Sequence, residues 1–330
     1  MSSDAPYLVR PEDDSLHDND GHPYWNESSW VPFHVADRGL SGIIYFYHRP
    51  NMNFTKGGVM IWDPSGENTY DSRHYDFDIH PFDVNDMYDF TLPNGLTVQC
   101  REPLTSFAFR YQRESCGLEL NWNAVMPPQQ TGLPQGAKEW ADKGHYQQGG
   151  RATGELLLDG ERIAIDCLTV RDHSWGKRLL RQMNDPRGDL LWAMASPDHG
   201  MCVYVAADPD ENDDTDYSRE VVDTVGVGWY LRDGDTRPVT SIKRRSLRGD
   251  DGRVTELVVD GQDDRGRSFH AHGTPANLLK WQAYNAIMSW YSLMRFTLDD
   301  KPAMGETTDY WPINQASRML RSLRANGGAG

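Results

Sequence analysis

Eight consecutive residues, Arg171-Asp172-His173-Ser174-Trp175-Gly176-Lys177-Arg178, bring together two arginines, an acid, an imidazole and an indole. They follow Ile163–Val170, whose apolar residues recur as in a buried strand. If the strand continues, alternation puts Arg171, His173 and Trp175 on one face and Asp172 and Ser174 on the other. The first face then holds a cation, a proton-transfer group and an aromatic wall. An imidazole, with an ordinary pKa of about 6.5, suits both giving and taking a proton. Trp175 offers a π-face to a cationic transition state. Arg171 and Arg178 can depress the imidazole's pKa or hold a carboxylate. The same residues admit a structural reading: an Arg171–Asp172 ion pair, a satisfied core histidine and a Trp175-Gly176 turn.

Two further groups carry possible chemistry. Glu306 follows Gly305 in a hairpin whose turn is Asp299-Asp300-Lys301-Pro302. A carboxyl pointing into an apolar cavity has a raised pKa and acts as a general acid; an exposed hairpin carboxylate does not. His74, Asp76, Asp78 and His80 have a spacing that a metal site can use, but loops rich in Asp and His commonly face solvent, so no metal is expected.

The elements that must position these residues are mostly strands. Gly42–His48, Gly58–Trp62, Phe107–Tyr111, Leu118–Trp122, Leu190–Ala195, Met201–Ala206, Val225–Leu231, Val239–Leu247 and Val254–Asp260 are β-branched, aromatic or alternating. Pro93-Asn94-Gly95 and Asp159-Gly160 are hairpin turns. Regular short strands with Gly/Asp/Asn turns predict an all-β barrel or sandwich, and alternation with long helices is missing. Helical spacing appears over Gly136–Tyr146 and Ile313–Arg324. Leu278–Phe296 fits either a helix or a long strand. Met183–Asp189 reads as a linker, and Asp208–Asp216 as a solvated acidic loop.

Composition narrows the function. The chain has 330 residues and a net charge of −16, with no stripe of Lys and Arg. This disfavours nucleic acid and anionic membrane surfaces as partners. No 18-residue apolar run predicts a transmembrane helix, and Met1–Asp20 lacks a signal-peptide core, so a cytoplasmic location is expected. Cys100, Cys116, Cys167 and Cys202 are widely spaced and read as reduced core residues. The phosphate-binding glycine motifs and the Gly-x-Ser-x-Gly elbow are absent.

Asp172-His173-Ser174-Trp175-Gly176 at the end of a buried strand resembles the carotenoid 1,2-hydratase (CrtC-like)/AttH-like superfamily, a group similar in fold to fungal Diels–Alderase cyclases. Trp25-Asn26-Glu27-Ser28, Arg49-Pro50-Asn51, Gly149–Asp159 and Gly305-Glu306 fit the same layout, over about residues 20 to 312. The resemblance implies two lipocalin-like (calycin) β-domains, at 14–182 and 183–312, with a C-terminal helix and tail at 313–330. It implies a deep apolar cavity, a hydrophobic substrate such as an isoprenoid or polyketide, and no cofactor. The family's His-x-Trp falls on His173 and Trp175. Its following Tyr-x-Asp keeps the tyrosine, Tyr204 in Cys202-Val203-Tyr204-Val205-Ala206, and lacks the acid unless Asp208 substitutes. Carotenoid hydration is therefore disfavoured relative to acid/base chemistry on another hydrophobic molecule, as hydratase, dehydratase, isomerase or cyclase. In that reading His173, Glu306 and Tyr204 are catalytic, Trp175, Arg171 and Arg178 bind substrate, and Asp172 supports through an arginine. A non-catalytic lipid or isoprenoid carrier on the same fold is the alternative. The sequence names neither the substrate nor the oligomeric state.

Overall fold

The structure is a computed structural model and describes residues 8–113, 115–131, 143–178, 187–207, 220–284 and 286–327. The acidic loop expected at Asp208–Asp216, most of the linker and the helix expected before Gly144 lie outside these residues. Two antiparallel sheets hold 66% of the described residues. The first is built from β1 (Trp25–Val35), β2 (Leu40–Arg49), β3 (Phe54–Trp62), β4 (His74–Pro81), β5 (Asp89–Thr91), β6 (Thr97–Glu102), β7 (Ser106–Arg113), β8 (Cys116–Ala124), β9 (Gln129–Gln130), β10 (Gly144–Leu158) and β11 (Glu161–Lys177). The second is built from β12 (Gly188–Ser196), β13 (His199–Ala206), β14 (Glu220–Asp223), β15 (Val225–Arg232), β16 (Asp235–Arg248), β17 (Val254–Asp263), β18 (Ser268–Pro275), β19 (Leu279–Tyr284), β20 (Ile287–Leu298), β21 (Lys301–Thr307) and β22 (Tyr310–Pro312), followed by α1 (Ile313–Gly327).

The first sheet runs β4-β3-β2-β1-β11-β10-β8-β7-β6-β5 and stays open. The second runs β13-β15-β16-β17-β18-β20-β21-β12 and closes on itself through the β12–β13 pair. The fold is thus two lipocalin-like units, a half-barrel and a closed eight-stranded barrel. Each has its own apolar interior. Phe33, Ile44, Phe46, Val59, Phe109, Trp122, Ile163 and Ile165 fill the first. Val203, Tyr230, Val259, Phe269, Met294 and Leu298 fill the second.

The turns follow the chemistry of their residues. Asp159-Gly160 joins β10 to β11 with both residues at positive φ, 52° and 84°, and Asp299-Asp300 joins β20 to β21 at 47° and 64°. Paired positive φ matches the right-handed twist of the flanking strands. The ambiguous Leu278–Phe296 segment resolves into the β19–β20 hairpin. Gly144–Tyr146, expected to be helical, instead opens β10 and pairs with His173–Trp175 of β11. The reason is packing: a Cβ on Gly144 would sit 2.1 Å from the Trp175 ring, so bare backbone is needed there. Helix α1 forms as its spacing predicts and buries Ala316, Met319 and Leu323 against Trp290 and Trp311.

The units meet through the outer face of β1–β4. Ile43, Tyr45, Met60, Trp62 and Phe77 of the first pack with Leu279, Trp281 and Tyr291 of the second. Strand β11 runs through this junction, with Val170 packed against Trp192, Cys202 and Trp229. Its two faces therefore look into different surroundings.

Candidate active site

Alternation along β11 holds through Trp175, and Gly176, still paired with Asn26, has a φ of 123° that favours glycine. Arg171, His173 and Trp175 point into the polar end of the first unit. Asp172 and Ser174 point outward to the junction, where both line a cavity.

The inward group is dry. Arg171 is fully buried, and its guanidinium donates to Asp14 (3.1 and 3.3 Å), to Gln148 Oε1 (2.9 and 3.1 Å) and to the Tyr88 hydroxyl (3.0 Å). It also lies 4.3 Å from the centre of the Phe107 ring. Asp14 is itself held by the Tyr146 hydroxyl and the Leu104 amide. Every donor direction of Arg171 is thus taken by protein, as in a structural ion pair. His173 is also fully buried, and neither ring nitrogen has a partner at hydrogen-bonding geometry. Burial, helped by the nearby His17 and Arg171, holds its imidazole well below the ordinary pKa, so it is neutral. Trp175 stacks on the His17 ring, with centroids 4.1 Å apart. His17, Glu27 and His173 lie close enough together to hold a metal ion, the one such group among the described residues. His74 and Asp76 instead bond to Tyr111.

The outward group lines a cavity of about 150 Å³ between the units. Trp30 and Tyr45 of the first unit and Tyr204, Trp281, Tyr284, Ile287, Tyr291 and Tyr310 of the second form its largely aromatic wall. Arg178 enters this wall with its fork occupied: Nη2 donates to Ser174 (2.7 Å) and Ser28 (3.1 Å), and Nη1 to the hydroxyls of Tyr284 (3.1 Å) and Tyr45 (3.4 Å). Tyr204 stacks on Tyr310 with centroids 5.9 Å apart. Asp172 accepts the Trp30 amide at 3.0 Å. Burial pushes its carboxyl up to about 7 against the pull of Arg178.

Behind Asp172 the cavity wall contains a smaller void of about 10 Å³, bordered by Gln147, Asp172, Trp192, Glu306 and Thr308. That is close to the space one water needs. Glu306 is fully buried, and its Oε2 accepts from the Tyr291 hydroxyl and from Trp192 Nε1 (3.2 Å). Burial outweighs these bonds and pushes the Glu306 pKa up to about 8. Its Oε1, and both amide atoms of Gln147, have no protein partner. Three orphaned polar atoms beside a water-sized void are the signature of a bound water.

Of the residues singled out from sequence, Asp172, Arg178 and Tyr204 line the cavity, and Glu306 sits behind it beside the void. His173 and Trp175 line neither space, and Arg171 borders only the small void. Gln147, Tyr291, Tyr284 and Trp281 were not singled out. The pairing of Gln147 with Asp172 in adjacent strands carries no mark in a linear sequence.

A family model described as a domain of unknown function (DUF7064) matches residues 10–312. No curated protein sequence gives a significant match. Among solved structures, an AttH-type protein from Nitrosomonas europaea superposes with a TM-score of 0.62 at 16% identity, covering 93% of this chain and 98% of that one. Kievitone hydratase from Nectria haematococca gives 0.47 at 11% identity, covering 93% and 94%. CghA, solved with Sch210972, gives 0.46 at 10% identity, covering 88% and 89%. The first of these likenesses supports the two-unit lipocalin-like fold.

Proposed function

The chain belongs to the DUF7064 family, a domain of unknown function, and within it we propose an acid/base enzyme that adds water to, or removes it from, a hydrophobic small molecule bound between the two units. The supporting observation is the water-sized void, flanked by Glu306 from one unit and Asp172 from the other, behind an aromatic-walled cavity. Isoprenoid or polyketide skeletons suit such walls.

In this reading Glu306, protonated at neutral pH, delivers its proton to an alkene or enone carbon. Trp30, Trp281 and Tyr291 present ring faces to the positive charge that develops. Water from the void attacks the cationic carbon, and its proton passes to Asp172. The substrate gains H and OH; dehydration is the reverse. Tyr291 orients the Glu306 carboxyl, Tyr204 meets a polar end of the substrate, and Arg178 holds Ser28, Ser174, Tyr45 and Tyr284 in place around it. The proton-transfer role considered for His173 falls to Asp172 on the other face of the strand and to Glu306 of the second unit.

The carrier reading keeps one specific support. Tyr204 is followed by Val205-Ala206, without the acid of the Tyr-x-Asp found in the carotenoid hydratases that the sequence resembles. Mass spectrometry of copurifying ligand, followed by turnover of that ligand and a terpenoid and polyketide panel in ¹⁸O-water, separates the readings. The enzyme reading requires ¹⁸O in product; tight binding with no conversion of any bound compound overturns it.

A further inference from the structure

A second site lies on the opposite face of β11 from the cavity. From this geometry we infer that His17, Glu27 and His173 form a binding site for one divalent transition-metal ion of the zinc type. Three separate pieces of chain converge there: the segment before β1, β1 itself and β11. One donor atom from each lies within 4.8 Å of the other two. His17 Nδ1 is 3.1 Å from Glu27 Oε2, and His173 Nε2 is 3.9 Å from the same oxygen. A tetrahedral ion with bonds of about 2.1 Å holds its ligands about 3.4 Å apart, so small side-chain rotations close the site. Two imidazoles and one carboxylate are a donor set that zinc and its neighbours take readily.

Independent features point the same way. His173 is fully buried with both ring nitrogens unpartnered, an arrangement that native interiors avoid unless something else is bound. The other oxygen of the Glu27 carboxylate is fixed by the His17 amide (2.9 Å) and Trp25 Nε1 (3.1 Å), so Oε2, hydrogen-bonded to His17 Nδ1 at 3.1 Å, is the oxygen turned toward the two imidazoles. His17 Nε2 faces Asp13 Oδ1 at 3.5 Å, the carboxylate–histidine arrangement that orients ligating imidazoles. Trp175 stacks on the His17 ring and fixes its plane. The His17 side chain keeps 20% of its exposure, which gives the ion a way in. Because Asp13, Asp14 and His17 all sit on the segment that covers this end of the first unit, the ion would clamp that segment in place.

The test uses the full-length chain stripped with a chelator and dialysed. Calorimetric titration with Zn²⁺, and with Co²⁺ while its visible absorption is followed, should give one site per chain with the intense bands of four-coordinate cobalt. His17→Ala, at a partly exposed position, should fold normally by circular dichroism and lose that site, with affinity weaker by at least about 100-fold. Asp13→Asn should weaken binding by about 10- to 100-fold. Melting temperature should rise with zinc in the wild type and stay fixed in His17→Ala. No stoichiometric binding by the wild-type chain, or equal binding by wild type and folded His17→Ala, overturns the assignment.

Discussion

Glu306 and Tyr291 stand on neighbouring strands of the closed barrel, and the Tyr291 hydroxyl donates to Glu306 Oε2 while Oε1 is left to the void. The bond fixes the carboxyl's orientation, and burial keeps it protonated. Together they make a general acid that is ready before substrate arrives.

Glu306→Gln keeps the shape and removes the proton. Turnover should fall by about 10²–10⁴-fold while ligand affinity changes little. In the wild type, kcat/KM should decline as pH rises through about 8, where Glu306 loses its proton. Stability has the same sign. The folded-state pKa lies above the ordinary 4.5, so this contribution is whole below pH about 4.5 and is lost as pH rises through 8. Melting temperatures of wild type and Glu306→Gln, taken from pH 5 to 9, should lie close together at the acid end and separate at the alkaline end, where the wild type falls below the neutral variant. Parallel curves would mean that Glu306 is ionised in the fold.

The inward ion pair predicts a different phenotype. Asp14→Ala strips the buried Arg171 guanidinium of its counter-charge. Breaking such a pair costs about 3–5 kcal/mol. Urea denaturation should show a loss of that order, and the cavity's ligand affinity, measured well below the unfolding midpoint, should stay near wild type. Loss of ligand binding in a folded Asp14→Ala chain would place Arg171 in the binding machinery.

Much of this was legible in the sequence. The Asp159-Gly160 and Asp299-Asp300 turns, and the split of β11 into an Arg171/His173/Trp175 face and an Asp172/Ser174 face, follow from period-2 alternation and turn chemistry alone. What alternation does not carry is which face meets the cavity. That is decided by how β1–β3 of one unit dock on β19–β20 of the other, through contacts such as Tyr45 with Trp281. Nor does it show that His17, 156 residues before His173 in the chain, folds back over it. Gln147 carries no mark in the sequence; its place follows only from an amide with no protein partner at the void that Glu306 also borders.

Arg178 should matter through geometry rather than charge. Its planar fork ties Ser28 and Ser174 to Tyr45 and Tyr284, so it spans the two units at the cavity wall. Lysine keeps the charge but cannot reproduce that span. Arg178→Lys should weaken ligand binding by about tenfold or more, equivalent to about 1.4 kcal/mol, in an equilibrium titration with the copurifying compound. Unchanged affinity would reduce Arg178 to a simple counter-charge for Asp172.

The void decides between water chemistry and a water-free rearrangement. Gln147→Leu is close in size and replaces both orphaned amide atoms with methyl groups, so the niche should lose its water while the cavity in front keeps its aromatic wall. If water is a co-substrate, hydration should fall by at least about 100-fold. Protonation by Glu306 would continue, so the cation would discharge by losing a neighbouring proton, and alkene isomers should accumulate in place of alcohol. Product ratios by gas chromatography, beside the total rate of substrate loss, read both effects at once. If the reaction is an isomerisation or cyclisation, the same substitution should leave rate and products unchanged, because no step then draws on the niche. That outcome would keep Glu306 as the acid and remove water addition from the proposed function.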